Sequence, residues 1–323
     1  MAGEPVDFVP RTPILMQFAA EYIGSDYAKF ASDYRVLVEA NHKCALDFGF
    51  DQLSCISDPY RETEGFGSEI TYRTDATPIS THPLADDKDL SKLAKPDPLV
   101  SVRMKDRVDA VTAYKQQFGG QYSILGWVEG PAAEAADLRD VANFMIDTVT
   151  DEAYACDLMD LCVENAIAFA LAQINAGADT IGIGDAVASL VSPDTYESII
   201  MPREKQIVDA IQAAGAYVKL HICGNITHLL SGIAELGVDI LDVDHMMDIS
   251  LVREKIGPKV VLGGNIDPSE GVARGNPESI AQTMQQAYLQ AGNPFMVNAG
   301  CEIPSGTPNE NLKALCQPIE YAS

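Results

Sequence analysis

From about residue 120 onward, short apolar runs alternate with longer stretches of helical periodicity, and this alternation restricts the fold more than any other feature of the chain. "YSILGW" (122–127) reads as a strand, "DEAYACDLMDLCVENAIAFALAQINAGA" (151–178) as a long helix ending at glycine, and "TIGIGD" (180–185) as the next strand. A helical stretch opening at Ser192-Pro193 and closing on Gly215 leads into the strand "YVKLHICG", and the short helix "ITHLLSGIAELG" leads into "VDILDVD". "VVLGGNID" and "PFMVNAGC" are two further strands, separated by the helical "PESIAQTMQQAYLQAG". Strands apolar on both faces, alternating with helices, require a parallel sheet covered on both sides. Six in a row at even spacing favour closure into a (β/α)8 TIM barrel. The alternative is an open doubly wound sheet, and the lack of a glycine-rich dinucleotide or phosphate loop weighs against it.

The first 120 residues are less regular. They contain a predicted strand "PILMQF", a helix from about Tyr27 to Phe48, and a strand "DQLSCI". The polar segment "THPLADDKDLSKLAKPDP" (81–98) reads as a surface excursion within a single barrel domain spanning 1–323, not as a linker.

Composition limits the partners. A formal charge of −25 and the lack of a long basic run argue against nucleic acid or an anionic membrane surface. No stretch reaches the roughly 18 apolar residues of a membrane span, and "MAGEPVDFVPRTP" lacks the features of a secretory signal, so a cytoplasmic protein is expected. Seven well-separated cysteines do not form a disulfide framework. Cys44, Cys55, Cys156, Cys162 and Cys316 read as packing residues, and His228 as a surface residue.

Active sites of barrels sit at the carboxyl ends of the strands, and the residues there are unusual in kind. Asp185 closes one strand, His221 and Cys223 the next, Asp242 and Asp244 the next, then Asn265 with Asp267, and finally Cys301. His245 also lies near this mouth. Residues i and i+2 of a strand share a face, so His221 and Cys223 point at one spot, and Cys301 can join them from a strand further round. One imidazole and two thiolates suit Zn²⁺, and three protein ligands leave a position open, as in catalytic zinc sites. Asp244 is a candidate reversible fourth ligand. The competing reading is a core histidine beside buried cysteines.

"GWVEGPAAEAADLR" (126–139), "GDAVASLVSPDTYESIIMPREKQIVDAIQAAGAYVKLHICGN" (184–225), "GGNIDP" (263–268) and "NAGCEIPSGTPNENLKAL" (298–315) together resemble the uroporphyrinogen decarboxylase superfamily, and within it the zinc-dependent, corrinoid-linked methyltransferases. The resemblance implies a (β/α)8 barrel of that type, zinc held by His221, Cys223 and Cys301, and an acidic residue near the metal at Asp244. It also implies a corrinoid, methylated or Co(I), presented by a partner corrinoid protein. The decarboxylases carry an arginine-bearing motif near the N-terminus that pairs with porphyrinogen carboxylates. Here the stretch reads "MQFAAEYIGSDY", with Gln17 and Glu21 at the arginine places, so decarboxylation is disfavoured.

The wording of these motifs favours demethylation of an O-methyl aromatic ether, with the zinc as Lewis acid toward the leaving oxygen and a corrinoid protein as acceptor. The alternative is a methylcobalamin:thiol methyltransferase of the coenzyme M type, in which zinc presents a thiolate. A zinc-independent methyltransferase and a non-catalytic tetrapyrrole binder rank below both. Trp127, Asn265, Asp267 and Tyr22 are the candidate substrate contacts, and Asp185, Glu129 and Asp244 the candidate catalytic carboxylates.

Overall fold

The computed structural model describes residues 6–321. Seven parallel strands form one sheet in chain order: β1 (Gln52–Ser54), β2 (Ser123–Glu129), β3 (Thr180–Gly184), β4 (Tyr217–His221), β5 (Ile240–Val243), β6 (Val261–Ile266) and β7 (Phe295–Ala299). An extended stretch near Arg11 joins the two edges of this sheet. On one side Thr12 N donates to Val297 O at 2.8 Å and Val297 N to Pro10 O at 2.7 Å, and on the other Asp51 N donates to Arg11 O at 2.8 Å. The Arg11 guanidinium adds two hydrogen bonds to the Asp51 carboxylate, both at 3.0 Å. The sheet thereby closes into an α/β barrel with this stretch in the eighth strand's place, so that no sheet edge is left open.

The helices cover the outside as the periodicity requires. Glu152–Ala176 ends on Gly177 in the left-handed region (φ 119°), where a glycine meets no Cβ penalty. The helical stretch after β3 begins with the Ser192 side chain accepting from Thr195 N, and it contains a π turn, Tyr196–Ile200, before Met201–Ala213. No helix among the described residues is long and apolar enough to cross a membrane.

Two N-terminal expectations change. The predicted strand "PILMQF" is extended only as far as Leu15, and Gln17–Tyr22 is a helix whose first amide, Gln17 N, donates to Glu302 Oε1 at 3.1 Å. The predicted helix from Tyr27 to Phe48 is two helices, Tyr27–Ser32 and Tyr34–Phe48. Asp33 between them is extended (φ −133°, ψ 110°), and its carboxylate accepts from Arg35 N as a cap for the second. The segment 81–98 holds one short helical turn, Leu90–Lys92, and is fastened to the barrel where Leu84 N donates to Leu138 O.

Candidate metal centre and cavity

Strand β4 ends at His221, and the chain continues far enough in the same direction to keep Cys223 on the histidine's side. His221 Nε2 lies 3.1 Å from Cys223 Sγ, Cys301 Sγ lies 3.7 Å from Cys223 Sγ, and His221 Nε2 and Cys301 Sγ are 3.8 Å apart. The one ligand atom that each residue offers lies within 4.8 Å of the others, and this is the only such group among the described residues. Cys301 arrives just past β7, three strands round the barrel. One borderline nitrogen and two soft sulfurs converging on one point are a donor set that fits zinc.

A layer of buried polar side chains aims the imidazole. Strand pairing sets Asp242 opposite His221, and the Nδ1–H donates to Asp242 Oδ2 at 3.1 Å, which turns Nε2 toward the two sulfurs. Asp242 is in turn held by Lys219 Nζ at 3.0 Å and by Asn298 Nδ2, which donates to Oδ1 at 3.3 Å. Gly263 on the intervening strand makes room, since a Cβ there would sit 2.7 Å from Asp242 Oδ1. Without an ion, burial opposes a charged imidazole, yet the hydrogen bond to Asp242 prevails and raises His221 to about 10. The Cys223 thiol, donating to Cys301, lowers Cys301 to about 4 against the effect of burial, with the His221 imidazolium assisting. The same hydrogen bond, together with burial, raises the Cys223 thiol. The site thus sets one thiol of lowered pKa beside two groups that would give up protons to an ion.

The three ligands face a cavity of about 160 Å³. Ile14, Met16, Ile56 and Trp127 supply apolar wall, and Asp58, Glu129 and Glu302 supply carboxyl groups.

The uroporphyrinogen decarboxylase family model matches residues 1–320. The chain belongs to this family. Its curated relatives include methylcobamide:CoM methyltransferase MtbA of Methanosarcina acetivorans, 29% identical over 97% of this chain and 93% of the relative. Methylcobamide:CoM methyltransferase MtaA of Methanosarcina barkeri is 30% identical over 98% and 94%. A uroporphyrinogen decarboxylase of a Synechococcus strain is more distant, 24% identical over 99% and 91%. Among solved structures, a methyltransferase from Methanosarcina mazei superposes with a TM-score of 0.88 at 27% identity, covering 97% of this chain and 94% of the other.

Against that family background the remaining candidates divide. Trp127 and Glu129 line the cavity. The indole is buried beneath the strand-end glycines, with its ring edge-on to the His221 ring at a centroid distance of 6.0 Å. Gly182 is needed for it, because a Cβ there would lie 2.2 Å from Trp127 Cε3. Asp185 is fully buried outside the cavity wall and caps the helix Pro131–Arg139, accepting from Ala133 N at 2.7 Å and Ala132 N at 3.3 Å. Asp244 accepts from Gly224 N at 2.9 Å and Met246 N at 3.0 Å, and His245 Nδ1 lies 3.0 Å from the same carboxylate. One oxygen therefore serves the loop that carries Cys223 and the other its own turn. Asn265 donates to Met247 O at 2.9 Å, and Asp267 caps the turn after β6 by accepting from Ser269 N and Glu270 N. Tyr22 donates to Asp47 at 2.7 Å in a separate surface groove. Gln17 and Glu21 hydrogen-bond one another and leave no cation at the places where the decarboxylases carry arginine.

Sequence reasoning missed the charged wall behind the cavity. Arg103 holds both oxygens of Asp58, at 2.6 and 2.5 Å, while Arg61 pairs with Glu129 and with the carbonyl of Asp58. Asp58 and Arg61 follow β1 in "SDPYRE", at the same mouth, and the strand-end rule that found His221 reaches Asp58 as well. Glu302, next to Cys301, was also passed over. It is raised to about 7, chiefly by burial.

Proposed function

We propose that this chain is a zinc-dependent methyltransferase that passes a methyl group between a methylcorrinoid, carried by a partner corrinoid protein, and a small thiol. The observation that carries the reading is the convergence of His221, Cys223 and Cys301 on one point at the mouth of a small cavity. The relatives support the thiol over the O-methyl aromatic ether that motif wording favoured. Two are named as methylcobamide:CoM methyltransferases, and a third, 24% identical over 97% of this chain, as a methylated-thiol--coenzyme M methyltransferase. A cytoplasmic setting, where thiols stay reduced, suits seven free cysteines.

Zinc held by His221, Cys223 and Cys301 would lower the pKa of a thiol bound at the open position and present it as a thiolate. The chain's own residues do the rest. Asp242 fixes the imidazole's tautomer and direction. Ile14, Met16, Ile56 and Trp127 keep the approach dry, which strengthens the electrostatics of the site. Asp244, by accepting from Gly224 N, fixes the loop that carries Cys223.

Elemental analysis of the purified protein beside Cys301→Ala tests the reading. About one zinc per chain, lost in the variant, together with thiol-dependent demethylation of methylcobalamin followed by its absorbance, is the expected outcome. No zinc in either protein after zinc repletion would falsify it.

A further inference from the structure

The thiol named in the relatives, coenzyme M, is 2-mercaptoethanesulfonate, a permanent anion two carbons from sulfur. An anion in a confined cavity needs a cation or converging N–H donors. The cavity before Cys223 and Cys301 offers no cation among the described residues. Apart from the metal ligands, its ionisable lining residues are Asp58, Glu129 and Glu302, and all three are carboxyl groups.

The two arginines behind its wall are committed to other partners. Arg61 is fully buried, with its two terminal nitrogens on Glu129 and on the carbonyl of Asp58 and its Nε 3.5 Å from Glu62. Arg103, also buried, spends its terminal nitrogens on the Asp58 carboxylate and the carbonyl of Ala31. Neither guanidinium lines the cavity. Protonated or ionised, the three carboxyl groups contribute no positive charge, and the remaining wall, Ile14, Met16, Ile56, Pro59, Trp127, Gly184 and Ala186, adds no charge and only the indole N–H as a side-chain donor.

We infer that the thiol accepted at this site is small and uncharged, and that the cavity selects against a sulfonate-bearing thiol. The inference rests on the thiol reading above and specifies its substrate class. A sulfonate entering the cavity would lose its water and meet carboxyl oxygens, whereas a hydroxyl in the same place could donate to Glu129, Asp58 or Glu302.

The test is calorimetric titration of the zinc-loaded chain with 2-mercaptoethanol and with 2-mercaptoethanesulfonate, run beside methylcobalamin demethylation by each. The expected result is binding of 2-mercaptoethanol at least about tenfold tighter than that of the sulfonate. Glu129→Gln, which removes a carboxylate from the wall and leaves the Arg61 charge less neutralised, should narrow the gap. If that variant does not fold, the order in the unaltered chain still decides. Equal or tighter binding of the sulfonate overturns the inference and leaves the thiol reading standing. Binding of neither thiol overturns both. The expected order without demethylation supports the charge preference and overturns the methyl-transfer reading.

Discussion

Asp242 is the residue on which the metal centre depends without touching the metal. It is buried among Lys219, His221 and Asn298, and each of these spends a donor on it. Asp242→Asn is expected to weaken zinc binding by about 10–100-fold in chelator competition, because the imidazole exchanges a charged acceptor for a weaker neutral one. The same variant should lower the melting temperature, since the buried Lys219 ammonium loses its counter-charge. Unchanged zinc affinity would show that the ligands are positioned by the backbone alone. At this scale the metal ligands were legible because strand geometry and strand ends suffice to bring His221, Cys223 and Cys301 together. The charged wall was not, since Arg61–Glu129 and Arg103–Asp58 pair across 68 and 45 positions, and nothing local announces them. Asp185 shows the converse: a strand-end carboxylate whose oxygens serve a helix terminus instead of the cavity.

Strands β2 and β3 show how one element makes room for another. The pattern "TIGIG" removes side chains where the Trp127 indole lies across the neighbouring strand, and Gly182 is the tighter of its two glycines. Gly182→Ala should cost about 1–3 kcal/mol as an overpacking change. It should also displace the indole edge from His221, visible as a changed tryptophan fluorescence from the chain's single Trp. A stable variant with native fluorescence would mean that the strand yields easily. The elements after residue 120 were readable because the strands are mostly apolar and the long helix and the one opening at Ser192 carry their own start or stop. The N-terminal part was not, because the stretch closing the barrel makes few ladder bonds and a single aspartate, Asp33, both ends one helix and begins the next.

The whole molecule carries a pH dependence set by carboxyl groups buried outside the cavity. Burial raises Asp185 to about 7, and it raises Glu204 as well, with Asp185 adding to the effect; the Tyr196 hydroxyl donates to Glu204 at 2.5 Å. In the unfolded chain such groups ionise near pH 4, so between about pH 4 and pH 7 the native state holds protons that the unfolded state has lost. Stability therefore falls as pH rises through that window, and the melting temperature should be higher at pH 5 than at pH 8. Glu204→Gln, which keeps an acceptor for Tyr196, should flatten the slope. A melting temperature that climbs toward pH 8 would contradict the assignment. The formal charge of −25 acts in the same direction, because self-repulsion grows as carboxyl groups ionise.

The stretch around Arg11, lodged between β7 and β1, has a consequence for how the molecule comes into being. Its partner on one side, Val297, is made long after it, and Phe8 also pairs with Glu320. During synthesis the opening residues wait for the end of the chain, and with them waits Cys301, without which the pocket has only two ligands. A growing chain therefore offers no finished metal site to compete for ions before its barrel is sealed. Because Asp7 and Tyr321 are hydrogen-bonded neighbours, a circular permutant that joins the two ends and opens in the exposed 81–98 segment should fold and hold one zinc per chain.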